Sequence, residues 1–369
     1  MATREISFGS TGPFLYNEED GFTDINVDGY GYRLPRSGDI GYWYDDGNGN
    51  LSISPIAKSL ISTNTTIYVA TTGSDTTGTG EIGAPFATIA KALLSLASKV
   101  IATNVMVTIQ VADGTYTITS SEAVSVLHPD GNRLQILGNT SSDVSIAIAS
   151  IDIAAKTFTV VGDYSAIILV GDIVAVTGSS TGGLNGAYLV SAVIFAAGNT
   201  TVTCATETIA SATVGGGSLI IKPCNRCVLS CASGVSGIFS TKLSTFNGFR
   251  INGAGGTASG ILMQETLGTI GSKTIISGFT YGMQAANNGL VSILGGVIKG
   301  CTQGLVSSAG RLFVYSPGVI LDNCSVGSKA QSGGYIYLQA RIERLVTTQA
   351  QPVIGTLGGS LNLITTSLT

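Results

Sequence analysis

The feature that most constrains the fold is an internal repeat of 22 residues between residues 223 and 340. Aligning Val297 with Ile275 and Val319 superposes short segments that are rich in valine and isoleucine and separated by glycine or asparagine. Such a period is typical of the coils of a parallel β-helix, whereas leucine-rich repeats need a Leu/Asn framework that is absent here. The same register aligns Ile276, Ile298 and Ile320; Gly278, Gly300 and Asp322; Gly260, Gly282 and Gly304; and Ile293, Tyr315 and Tyr337.

Successive coils of a β-helix advance by about 4.8 Å, the spacing of hydrogen-bonded strands. Equivalent residues are therefore expected to stack in ladders. The sets expected to stack are Phe279, Cys301 and Cys324, with one residue inserted at a turn before Cys324, and Val291, Phe313 and Tyr335.

The composition also favours many short strands. Glycine supplies 50 of 369 residues, and charged residues only 11%. Mean hydropathy is +0.40, yet no apolar run approaches the ~20 residues of a membrane helix, so no membrane insertion is predicted. The net charge of −4 gives no reason to expect a nucleic acid partner.

Residues 63–149 show an ordered series of local patterns. The segment Thr66–Asp75 predicts a strand that runs into a turn, and Pro85 can open a short amphipathic helix over about residues 85–99. The segment Val107–Ile118 then alternates apolar and polar residues around an Asp-Gly turn.

This order of patterns resembles the N-terminal entrance of pectate-lyase-like right-handed parallel β-helices in tailspikes, tail fibres and head fibres of tailed bacteriophages. The resemblance implies an all-β fold whose short helix covers the open end of the core. It also implies a homotrimeric virion appendage, assembled in the host cytoplasm, that contributes to attachment to the host surface.

The chain is interpreted as five stretches. Residues 1–62 form a virion-docking region, and residues 63–149 form the β-helix entrance. Residues 150–222 contain several turn signals and are either a small inserted β module or further coils. Residues 223–340 form the 22-residue coils. Residues 341–369 leave this register and are interpreted as a C-terminal cap or trimer clasp, because solenoid ends need covering.

Aromatic residues of the N-terminal stretch are candidate contact residues. Tyr42, Trp43 and Tyr44 lie among Gly, Asp and Asn residues, and they include the only tryptophan. Such a cluster serves more often as a small core or a docking surface than as a sugar platform. We expect it to contact a phage structural protein, with sugar binding as the alternative.

Six cysteines permit a metal site but do not favour one. A zinc site would need four ligands, and the candidates are Cys204, Cys224, Cys227 and Cys231. Buried thiols acting as small apolar residues are the preferred interpretation. No metal and no cofactor is therefore predicted.

The scarcity of acidic residues in the coils argues against catalysis. Residues 223–369 contain nine basic residues and only three acidic ones. Glycoside hydrolysis needs two carboxylates about 5–10 Å apart, and the candidates Glu265 and Asp322 are more than two coils apart in the alignment. A structural or adhesive role, with weak attraction to acidic host glycans, is therefore favoured.

Two alternative functions stay open at this stage. The first is a polysaccharide-degrading tailspike, a hydrolase or lyase in which a neighbouring subunit could complete the carboxylate pair. The second is a bacterial surface β-helix adhesin. It is disfavoured because the N-terminus lacks a basic region followed by an apolar core.

Overall fold

The structure is a computed structural model. It describes residues 59–119, 124–181, 183–256, 258–265, 267–315, 318–339 and 360, and elsewhere only the backbone of the strands given below. The chain divides into two compact units, which are residues 1–62 with 96–102, and residues 63–95 with 103–369.

Within the first unit, the strands that the structure describes are short and paired. Three pairs are antiparallel: Glu5–Ile6 with Phe14–Leu15, Thr23–Val27 with Tyr30–Leu34, and Tyr42–Asp45 with Leu51–Ser54. The fourth pair is parallel and joins Ser59–Ile61 to Lys99–Ile101.

Three parallel sheets form the second unit, and the chain visits them in turn. The first sheet contains Thr65–Val69, Val107–Val111, Leu134–Leu137, Thr245–Asn247, Leu267–Ile270, Leu290–Ile293, Arg311–Val314, Tyr335–Leu338 and Ser360–Leu363. The second contains Gly114–Ile118, Cys227–Cys231, Phe249–Gly253, Thr274–Ser277, Gly296–Lys299, Val319–Asp322, Arg341–Arg344 and Ser367–Leu368. The third contains Ser125–Val126, Ile238–Ser240, Ser259–Gln264, Tyr281–Ala286, Gln303–Ser308, Val326–Gln331 and Gln351–Gly355. The predicted all-β parallel β-helix is confirmed.

Strand pairing corrects the register of the repeat. Ile275 pairs with Val297 after 22 residues, but Val297 pairs with Ile320 after 23. The inserted residue shifts the next turn as well, so Asn323, not Asp322, shares the positive φ of Gly278 and Gly300. By contrast, the predicted alignment of Phe279, Cys301 and Cys324 fits the backbone hydrogen bonds from Thr302 to Phe279 and from Ser325 to Cys301.

The predicted ladder of Val291, Phe313 and Tyr335 is wrong. Val291 pairs with Leu312, which pairs with Ile336. The turns between the third and first sheets contain three, two and three residues in successive coils, at 287–289, 309–310 and 332–334. A shift by one residue exchanges inward and outward side chains of a strand. The alignment of Ile293, Tyr315 and Tyr337 fails for the same reason, since Ile293 pairs with Val314.

A glycine ladder runs through the third sheet, at the second residue of four adjacent strands. Its members are Gly260, Gly282, Gly304 and Gly327, which occupy equivalent positions in adjacent strands. A Cβ built on Gly282 would lie 2.6 Å from the carbonyl oxygen of Gly304 and 2.5 Å from Cγ2 of Ile298. Any side chain here would collide with the next coil and the core, so the aligned glycines of the sequence are required for close stacking.

The described interior of the β-helix is mainly aliphatic. Ile251, Ile276, Ile298 and Leu321 stack in adjacent strands of the second sheet, and none is exposed to solvent. Burial of such side chains contributes about 1.5–3 kcal/mol each. The repeating branched aliphatic residues of the sequence therefore form the core.

The entrance helix is shorter than predicted. It spans Ile89–Leu94 and not about residues 85–99. Thr88 is the N-cap, and its hydroxyl accepts a hydrogen bond from the backbone N–H of Lys91 at 3.1 Å. Asp75 fixes this start by accepting from the N–H of Thr88 and of Ala87. The helix contacts Thr65–Val69, the terminal strand of the first sheet, and its buried Ile89 and Ala92 cover that end of the core.

Seven antiparallel strands are inserted between Leu134–Leu137 and the short 3₁₀ helix Pro223–Arg226; a second 3₁₀ helix spans Gly131–Arg133. We call this the inserted module. Its first strand begins before residue 150, where the sequence analysis placed the boundary. In chain order the strands are Val144–Asp152, Thr157–Val161, Ile173–Thr177, Gly186–Leu189, Ala192–Ala196, Asn199–Thr203 and Ser218–Ile221.

The inserted module packs on the outer side of the second sheet. The coil residues Ile275, Val297 and Ile320 are buried against Ile173, Ala175 and Ala187 of the module. At one end of this interface Arg226 donates two hydrogen bonds to the carboxylate of Asp172, at 2.7 and 2.5 Å. The coil face would otherwise be an exposed apolar stripe.

The coils continue beyond residue 340, where the sequence analysis ended the repeat. Arg341–Arg344, Gln351–Gly355, Ser360–Leu363 and Ser367–Leu368 each pair in parallel with the preceding coil. The role of this stretch as a cap or clasp stays a prediction. Among the described residues, no helix has the length and apolar character needed to cross a membrane.

Candidate functional site

An aromatic surface lies on the outer side of the first sheet. In Arg311–Val314 and Tyr335–Leu338 the aliphatic side chains point into the core, so the residues between them face outward. Phe313 pairs with Tyr337, and Arg311 pairs with Tyr335, in adjacent strands. We call Phe313, Tyr315, Tyr335 and Tyr337 the aromatic face.

The rings of the aromatic face contact one another across two coils. The ring centroid of Phe313 lies 5.9 Å from that of Tyr335 and 6.0 Å from that of Tyr337, in tilted arrangements. Tyr315 stacks nearly parallel to Phe313, with centroids 6.4 Å apart, and is 38% exposed. Mutual packing holds these rings in place while leaving part of each accessible.

A cleft of about 390 Å³ opens beside the aromatic face. The described residues that line it are Arg311, Phe313, Gly333, Gly334, Tyr335 and Ser360. A Cβ on Gly334 would lie 2.2 Å from the carbonyl oxygen of Ser307, and Gly333 has a φ of +76°. The floor of the cleft is therefore formed by a turn in which residues other than glycine would clash or strain the backbone.

The cleft combines apolar rings with a cation and polar groups. The buried Ser307 hydroxyl donates to the Gly310 carbonyl and accepts from the N–H of Tyr335, which fixes the start of the Tyr335 strand. Arg311 is exposed and offers several N–H donors in a planar group. Rings that pack against apolar faces and donors that bind hydroxyl or carboxylate oxygens suit a carbohydrate. The described lining includes no carboxylate.

The structure does not bring Glu265 and Asp322 together. Glu265 is exposed in the turn after Ser259–Gln264 of the third sheet. Asp322 lies in the second sheet, fully buried under the inserted module, where it contacts Lys299. The two candidate acids therefore lie on different sides of the coils.

The four candidate zinc ligands occupy separate environments. Cys204 belongs to the core of the inserted module, and Cys224 to the interface with the coils. The thiol of Cys227 lies near the carbonyl of Ala112 at 3.6 Å, and Cys231 ends the same strand. Among the described residues, no group of three His, Cys, Asp or Glu side chains could hold a metal ion.

Burial should make the thiols unreactive in the native protein. It raises the pKa of Cys224 and Cys231 to about 12 and that of Cys301 to about 11. The thiolate is the reactive species, so iodoacetamide at about pH 8 should label none of the six buried cysteines before unfolding and all six in guanidinium. Mass spectrometry counts the adducts, and rapid labelling of one thiol in the native protein would contradict this burial.

The predicted docking residues belong to a strand of the N-terminal stretch. Tyr42, Trp43 and Tyr44 begin the strand Tyr42–Asp45, which pairs with Leu51–Ser54. Their side chains lie outside the described residues.

The aromatic face was missed as a site in the sequence analysis. Phe313, Tyr315, Tyr335 and Tyr337 had been aligned with the aliphatic residues Val291 and Ile293, which are buried. The usable signal was the alternation within the segments RLFVY and YIYL. In both, aliphatic residues alternate with aromatic ones, as expected for a strand with one buried face.

A family model and several solved structures match parts of this chain. Residues 71–150 match a family model described as "Protein of unknown function (DUF1565)". A solved structure described as "Glycoside hydrolase" is 9% identical, with a TM-score of 0.22, over 81% of this chain and 92% of that chain. "The complex structure of XylC with xylose" is 12% identical, with a TM-score of 0.28, over 81% and 70%. None of the curated proteins matches the sequence.

Residues 71–150 comprise the entrance helix, the first coils and the beginning of the inserted module. The pectate-lyase-like β-helix architecture implied by the resemblance is therefore supported by both the coils and this match. The phage part of the resemblance stays a prediction.

Proposed function

We propose that this chain is a non-enzymatic adhesive protein that binds surface polysaccharide through the aromatic face of its β-helix. The observation that carries the proposal is the cluster of partly exposed rings around Phe313, which adjoins a cleft containing Arg311. Four aromatic side chains on two coils form a rigid apolar platform, and the cleft beside it supplies polar contacts.

Carbohydrate recognition needs both parts of this surface. The faces of a sugar ring that carry C–H groups pack against an aromatic ring, while its hydroxyls need hydrogen-bond partners as they leave water. The guanidinium of Arg311 also favours sugars that carry a carboxylate or phosphate. Because the cation is exposed, added salt should weaken its contribution.

The proposal places this binding function on a tailed-phage particle. The chain is proposed to act as a parallel homotrimer whose residues 1–62 dock on another virion protein, with Tyr42, Trp43 and Tyr44 at the contact. The resemblance of the entrance to phage β-helices supports this placement. So does the low charge of the coils, which favours association of their exposed apolar and hydroxyl-rich sides.

Binding to immobilised oligosaccharides would test the proposal. The purified full chain is applied to a panel of bacterial capsule and lipopolysaccharide oligosaccharides, neutral and acidic, in low and high salt. At least one acidic glycan should bind, and Phe313→Ala or Tyr335→Ala should weaken this binding at least tenfold, equivalent to about 1.4 kcal/mol.

Phe195→Ala provides the matched control, because Phe195 is a 44% exposed aromatic residue of the inserted module. This variant should bind like the original chain. Glycans recovered after incubation should show no new reducing ends or unsaturated sugars. Absence of binding across the panel, or equal binding by Phe313→Ala, would contradict the adhesive role. Cleavage products would favour a polysaccharide-degrading enzyme.

A further inference from the structure

Three ionisable side chains meet between the coils and the inserted module. Lys299 and Asp322 are paired neighbours in adjacent parallel strands of the second sheet. The Nζ of Lys299 contacts Oδ2 of Asp322 and lies 3.0 Å from Oε1 of Glu207, which belongs to the inserted module. It also donates to the carbonyl of Ala187 at 2.9 Å.

These groups are removed from solvent. Asp322 is 0% exposed, Glu207 is 7% exposed and Lys299 is 8% exposed. They adjoin the apolar interface formed by Val297 and Ile320 with the module. Ionised side chains are rarely buried so completely, because each loses several kcal/mol of hydration. The cluster therefore differs from a surface ion pair, whose charges stay hydrated.

We propose that Lys299 and Asp322 form an intramolecular isopeptide bond, and that Glu207 transfers the proton during its formation. The product is an amide that covalently links two successive coils. No residue outside this cluster is needed for the reaction.

The reaction balances without an oxidant or cofactor. A proton first moves from the Lys299 ammonium to the Asp322 carboxylate, giving a neutral amine and a carboxylic acid. The Nζ lone pair attacks Cγ of Asp322, Glu207 accepts a proton from the nitrogen, and the same proton passes to the departing hydroxyl. The Nζ–Cγ bond forms, one Cγ–O bond breaks, and one water leaves. Glu207 ends unchanged.

The fold supplies the two conditions that such a condensation needs. Strand pairing holds the amine and the carboxyl in contact, which replaces a bimolecular encounter by a local one. The buried setting favours conversion of an ion pair to neutral groups, because it disfavours separated charges. It also restricts the water that would hydrolyse the amide.

Glu207 belongs to the inserted module, whereas Lys299 and Asp322 belong to the coils. The three groups assemble only when the module has docked on the second sheet. The isopeptide bond would therefore form after correct folding and would lock the docked coils against unfolding.

A second lysine–aspartate contact provides an internal comparison. Lys273 lies 2.9 Å from Asp143, but both side chains are more than one-fifth exposed. The structure shows no second carboxylate bound to Lys273 among the described residues. We expect no bond there.

Mass spectrometry of the full chain tests the inference. The intact protein should be lighter than its sequence by one water molecule. Trypsin should fail to cleave after Lys299, and peptide 274–311 should be recovered joined to peptide 312–329. Lys299→Met and Glu207→Gln should each restore the full mass, whereas Lys273→Met should retain the loss.

Mapping the water loss to particular tryptic peptides separates this bond from other dehydrations. Water lost by cyclisation at an Asp-Gly sequence such as Asp113–Gly114 would persist in Lys299→Met and would not join two tryptic peptides. Recovery of the wild-type chain at full mass, with normal cleavage after Lys299, would overturn the proposal. So would a water loss that maps elsewhere.

Discussion

Replacing Gly282 by alanine should lower the free energy of unfolding by about 3 kcal/mol, at the upper end of the cost of overpacking a core. The added Cβ would approach the Gly304 carbonyl oxygen to 2.6 Å and Cγ2 of Ile298 to 2.5 Å. Neither neighbour can move easily, because one is backbone of the next coil and the other is a fully buried core side chain. Guanidinium unfolding followed by circular dichroism measures the change.

The matched control for this substitution is Gly83→Ala. Gly83 is exposed, and a Cβ there would meet no atom within 4 Å. This variant should unfold within about 0.5 kcal/mol of the original chain, as surface substitutions usually do. Equal stability of Gly282→Ala and Gly83→Ala would mean that the coils stack less closely than the glycine ladder requires.

Arg226→Met should cost about 3 kcal/mol, because it removes the cation that donates two hydrogen bonds to a buried carboxylate. Asp172 is 2% exposed and receives two hydrogen bonds from Arg226. The carboxylate also accepts from the N–H of Leu169 at 2.8 Å, which a neutral side chain could retain. The free energy of unfolding is again the quantity to measure.

Two further variants separate loss of charge pairing from loss of packing. Adding Asp172→Asn to Arg226→Met should recover part of the stability, since a buried amide needs no counter-ion. Arg133→Met removes a partly exposed pair with Asp130 at 3.4 Å and should cost below about 1 kcal/mol. If Arg226→Met also lowered the free energy of unfolding by less than about 1 kcal/mol, the Asp172 contact would not help to hold the module on the coils.

The sequence predicted the architecture because every coil of a β-helix places the same packing requirements on equivalent positions. The glycines at 260, 282 and 304 recur where backbone of adjacent coils touches, and the aliphatic residues near Ile276 recur where the core lies. Such positions tolerate few residue types. They are therefore visible in one sequence without any comparison.

The site was less predictable because turn lengths vary. The two-residue turn at 309–310 shifts the next strand by one position, so Phe313 pairs with Ser292 instead of stacking on Val291 and faces the outer surface. The helix start was also misplaced, since Asp75 stabilises it from a distant loop and makes Thr88 the cap. Lys299, Asp322 and Glu207 meet only through strand pairing and docking of the inserted module.

The most direct test of the proposed adhesive function is an experimental structure of the full chain with an oligosaccharide selected from the binding panel. The account predicts sugar density against the rings of Phe313 and Tyr335, with a polar group of the sugar within hydrogen-bond distance of Arg311. A sugar bound at another surface, with the aromatic face covered by a second copy of the chain or empty, would contradict it.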